Sequence, residues 1–60
     1  MMTIRQAYEQ ALQAAERKGV AESQREMVAA LAVGDAMNRT LENMIALREI
    51  MREINAKRFA

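Results

Sequence analysis

The sequence contains no cysteine, histidine, proline or tryptophan, and only two glycines, one tyrosine and one phenylalanine in 60 residues. Each absence removes a class of chemistry. Without cysteine and histidine there is no disulfide, no zinc site of the common kind and no Cys/His nucleophile arrangement. The Glu-x-x-His motif of bundle-core metal sites is excluded by the same lack, and no Gly-rich phosphate loop is present. Without proline no helix is interrupted by a missing amide.

Charge of one sign is scarce as well. Nine basic residues against eight acidic ones give a formal charge of +1, and the two signs are interspersed along the chain. Such a balance offers no general field for nucleic acid or anionic lipid. The longest apolar run, Met27 to Val33, is far shorter than the roughly 20 residues that span a bilayer. The first residues lack the charged-then-apolar pattern of a signal peptide, so the expected location is cytoplasmic.

What the chain does contain is Ala, Glu, Gln, Arg, Met and Leu in abundance, the strong helix formers. An all-α fold in a single domain over residues 1–60 follows. A chain this short covers only about 60% of its unfolded surface. Small domains compensate with disulfides, metals or partner subunits, and here only the last is open.

Thr3 and Gln6 read as a capping box, which starts a helix at Ile4. Ile4, Ala7, Tyr8, Ala11, Ala14 and Ala15 then share one side at three- and four-residue spacing. Arg17, Lys18 and Gly19 close that helix. Ser23 and Glu26 suggest a second capping box, with Val20, Met27, Val28 and Leu31 on the apolar side of the helix that follows. Beyond it, Met37, Met44 and Met51 stand seven residues apart, with Thr40, Leu47 and Ile54 three residues after each. This is an a/d-type seam, widened by Leu41, Ile45 and Ile50.

At about 100° per residue, the Val20/Met27/Leu31 face and the methionine face point roughly 150° apart. Either Gly34 caps one helix and Asp35 opens the next, or one straight helix presents faces to two partners. The expected architecture is therefore a helical hairpin of two helices, or of three if broken at Gly34, completed as an oligomeric helical bundle. The last helix should run from Asp35 to Arg58, with Phe59 and Ala60 frayed.

No catalytic, cofactor-binding or metal-ligating residue is expected, and no small-molecule substrate. Glu22/Glu26 and Glu49/Glu53 are carboxylate pairs at four-residue spacing, an ordinary feature of solvated helix faces. The residues that invite function form the seam: Met37, Leu41, Met44, Leu47, Ile50, Met51 and Ile54. They point to a non-catalytic interaction or oligomerisation module, a regulator, chaperone or assembly subunit, whose partners are a second copy of itself and another protein. The alternative is a dimeric helix-turn-helix-like DNA-binding regulator using residues 24–43, with Gly34 as turn glycine and Asn38, Arg39 and Thr40 near the bases. Asp35, where that motif wants an apolar residue, argues against it.

Overall fold

In a computed structural model, which describes residues 1–58, the chain forms three helices: α1 (Ile4–Arg17), α2 (Glu22–Ala36) and α3 (Leu41–Arg58). Phe59 and Ala60, expected to fray, lie outside the described residues. Among those described there is no strand, and no helix is long and apolar enough to cross a membrane.

The start of α1 follows from its sequence. The Thr3 hydroxyl accepts from the Gln6 amide at 3.1 Å, and the Gln6 side chain accepts from the Thr3 amide at 2.9 Å. Two first-turn donors are thereby satisfied reciprocally. At the other end Gly19 takes φ +81°, its amide reaching the Glu16 carbonyl while the Val20 amide reaches that of Ala15. This Schellman closure needs a left-handed residue, and glycine adopts that conformation without a Cβ penalty.

The break between α2 and α3 is displaced from where the sequence suggests. Gly34 does not end α2; the helix runs through it to Ala36. Neither is Asp35 the N-cap of the last helix. Met37 turns extended at ψ 153°, and α3 begins at Leu41 with Thr40 as its cap, whose hydroxyl accepts from the Asn43 amide at 3.1 Å. The Asn43 side chain donates to the Asn38 carbonyl at 2.9 Å, closing the turn. A glycine inside a helix costs only about 1 kcal/mol, whereas three local bonds at Thr40 and Asn43 favour a start there. The architecture is thus three helices rather than a two-helix hairpin, and the third arises from a break after Ala36.

Gly34 has a packing role instead. A Cβ there would stand 3.2 Å from a terminal methyl of Leu47, so its absence lets α3 approach α2 closely. The contact of Gly34 with Leu47 and the ion pair of Glu26 with Lys57 fix α2 and α3 as antiparallel neighbours.

Two further expectations for α2 are corrected. Ser23 and Glu26 form no capping box: the N-cap is Ala21, without a side-chain bond. The helix also buries Ala29, Ala30 and Val33 and leaves Val28 and Leu31 exposed. Residues 27–33 are apolar around the whole circumference, so spacing alone does not choose a face; the small side chains win because both α1 and α3 must pack close. The core gathers Ile4, Tyr8, Ala29, Ala30, Val33, Ile50 and Ile54, with Leu12, Met27, Met37, Leu47 and Met51 half-buried around it. The Cα trace measures 30 × 27 × 15 Å, a flat shape in which each helix can hide only one side.

Candidate functional site

The seven seam residues do not share one environment. Ile50 and Ile54, 1% and 2% exposed, lie in the chain's own core. Met37, Leu47 and Met51 are half-buried against it. Leu41 and Met44 stay open to solvent at 75% and 49%, beside Ile45 at 50%. The side of α3 that packs inward is centred on Ile50, about 100° to 120° around the helix from Met51 and Met44. Sequence reasoning centred the row on methionine, because methionine recurs with heptad regularity; it is isoleucine that the chain buries.

Where these faces point follows from the contacts of α1. Arg5 grips Glu53 with both guanidinium nitrogens, at 2.7 and 3.2 Å. Ala7, Ala11 and Ala14 line a groove with Ala32, Val33 and Ala36. On helical projection, α1 therefore covers the Ile50/Glu53 side of α3 and the Ala29/Val33 side of α2. The opposite side of the α2/α3 pair carries Met27, Val28, Leu31 and Asp35 from α2, and Leu41, Met44, Arg48 and Met51 from α3. Leu31 is 57% exposed. Neither Asp35 nor Arg48, both exposed, takes part in an ion pair among the described residues. Val28 and Leu31 are the exposed apolar members of this surface that the seam did not include, and Ile45, which widened the seam, lies at its rim. The two from α2 were assigned to its inward side, and no spacing signal could have turned them outward.

Electrostatics serve the covered side. Arg5, with its hydrogen bonds first and its charge second, holds the Glu53 carboxyl below its ordinary range, and the Arg5 guanidinium is correspondingly raised. Both groups are largely solvated, so the pair links α1 to α3 while adding little to the stability of the fold. Burial, followed by the neighbouring Glu26 charge, pushes the Tyr8 phenol up. Lys57 reaches Glu26 at 3.0 Å and ties the end of α3 to α2.

The groove between α1 and α2 has a volume of about 620 Å³ and is walled chiefly by alanine and methionine. Thr3, Gln10, Arg17, Asn38 and Asn43 are its polar side chains, and no acid among them could pair with Arg17 as acid and base. Among the described residues no three acidic side chains converge as metal ligands would. Asn38, Arg39 and Thr40, offered above as base-contacting residues, form the α2/α3 turn, where the Thr40 hydroxyl and the Asn38 carbonyl are engaged in closing it. No family model, curated protein or solved structure matches the chain.

Proposed function

We infer that the protein is a non-catalytic interaction module that works by association through the side of the α2/α3 pair turned away from α1. The carrying observation is the exposure of Leu31, Leu41 and Met44 on one side of a domain that has ample alanine available for its surface. Scattered exposed apolar residues are ordinary; a leucine and methionine cluster on adjoining helices is the usual mark of a docking surface. The half-buried Met27 and Met51 beside them suit the role, because unbranched thioether side chains adapt to the shape of what covers them. Regulator, chaperone and assembly subunit are all roles that such a surface serves.

Met44→Glu tests the reading. Met44 is half-exposed in the single chain, so a glutamate there leaves the helices folded but places a charge where a partner must seat. Light scattering at tens of micromolar should report a lower mass for the variant than for the parent, with equal helicity by circular dichroism. A variant that keeps the mass of a self-associating parent would remove this face as the docking surface.

A further inference from the structure

Resting on that reading, we propose that the occupant of the α2/α3 face is a second copy of the chain. The two copies stack about a two-fold axis parallel to the helices, so that α2 of each lies antiparallel over α3 of the other. The argument begins with register. Gly34 lies level with Leu47 and Glu26 with Lys57, so a residue of α2 is level with the α3 residue whose number brings the sum to about 82. By that rule Leu31 is level with Met51, Asp35 with Leu47 and Arg48, and Met27 with Asn55. All of these except Leu47 and Asn55 were placed above on the uncovered side, and Asn55 projects to the same side at about 100° per residue.

A rotation about an axis parallel to the helices leaves levels unchanged. The second copy therefore sets its Leu31 over Met51 of the first, and the four side chains of that layer close around the axis. One turn further along, its Asp35 comes over Arg48, and the same contact recurs by symmetry. The result is a ring of alternating charge, Asp35, Arg48 and their two counterparts, built from groups that take part in no ion pair among the described residues. A two-fold axis perpendicular to the helices would instead stack α2 on α2 and α3 on α3, reversing the levels. Charge matching thus selects the first arrangement, as complementary potentials do at interfaces generally.

The size is consistent with a modest dimer. Helices of 15 and 18 residues are about 22 and 27 Å long, and two such helices present a footprint of about 500 Å². Two copies together then bury about 1,000 Å², the lower bound for a specific interface. Association in the micromolar range is the expected consequence.

Charge reversal tests the arrangement by sedimentation velocity. Asp35→Arg and Arg48→Asp each make the ring all of one sign, and each variant alone should dimerise at least tenfold more weakly than the parent. Mixed together they restore both opposite-sign contacts between the copies in a heterodimer, and the double variant restores those contacts with itself, so both should sediment as dimers. Loss of fold cannot produce that recovery. Equal dimerisation of the parent and both single variants, or failure of the mixture to recover, would overturn the stacked arrangement. If Met44→Glu still dissociates the assembly in that case, the docking face stands and only its occupant geometry falls. A parent that stays monomeric throughout would overturn the second copy as occupant.

Discussion

The two sides of the α2/α3 pair are built from similar residues and have opposite fates. On one side Ile50, Ile54, Ala29, Ala30 and Val33 meet Ile4 and Tyr8 of α1 and lose nearly all contact with water. On the other, Leu31, Leu41 and Met44 face solvent. The difference does not lie in hydrophobicity. It lies in α1, which at 14 residues is a single helix with one apolar stripe and can cover one side of a two-helix layer only. A third helix completes a core on one side and leaves the other side of the α2/α3 pair open to solvent. Apolar area gains roughly 25 cal/mol per Å² when it leaves water, so the uncovered side retains a driving force for association that the covered side has spent.

Substitutions that treat the two sides alike should reveal how differently they act. The largest effect is expected from Ile50→Ala, which opens a cavity beneath α1 and should cost about 2–5 kcal/mol in chemical denaturation, enough to unfold much of so small a domain. A loss below about 1 kcal/mol would mean that Ile50 is not the centre of the core. Next comes the seam between α2 and α3 themselves. Gly34→Leu drives a branched side chain into Leu47, already 3.2 Å from a hypothetical Cβ, and overpacking of this kind costs about 1–3 kcal/mol. Equal stability would show that the helices do not depend on close approach at this point. Leu31→Ala is the counterpart of Ile50→Ala on the uncovered side. In dilute solution it should shift the stability of the single chain by no more than about 0.5 kcal/mol, and a cost like that of Ile50→Ala would erase the contrast between the sides.

The smallest effect concerns the pair that seats α1. The Glu53 carboxyl titrates below its ordinary value of 4.5 when Arg5 is beside it. A lowered folded value means that the contribution is present above the ordinary value and is lost as pH falls through the lowered one. The small stability difference between the parent and Arg5→Gln, followed by urea midpoints, should therefore shrink between neutral pH and pH 3. A constant difference would assign Arg5 a packing role rather than an electrostatic one.

Much of this was legible in the sequence, and where it was not the reasons are physical. The Thr3/Gln6 box and the Gly19 closure are local rules with local partners, and both stand as read. The inward side of α1 was also legible, since its small and apolar residues have a single stripe to occupy. The side of α2 was not, because Met27 to Val33 offers apolar residues in every direction and only the approach of α1 and α3 decides among them. The sequence offers a break at Gly34 against a helix continuous through it, because a glycine next to an aspartate resembles a cap. The competing start at Thr40, with Asn43 turned back onto Asn38, depended on a side-chain contact that spacing does not announce. For the seam, heptad spacing located the correct helix while pointing some 100° or more away from its buried side. A buried side and an exposed side thus share one continuous row, and Met51 stands at their boundary.

Sedimentation equilibrium of the unaltered chain from about 1 to several hundred micromolar tests most directly whether the uncovered side is covered in solution. The expected result is a rise from the single-chain mass of 6.8 kDa toward twice that value as concentration increases. A single species of 6.8 kDa at every concentration would contradict it.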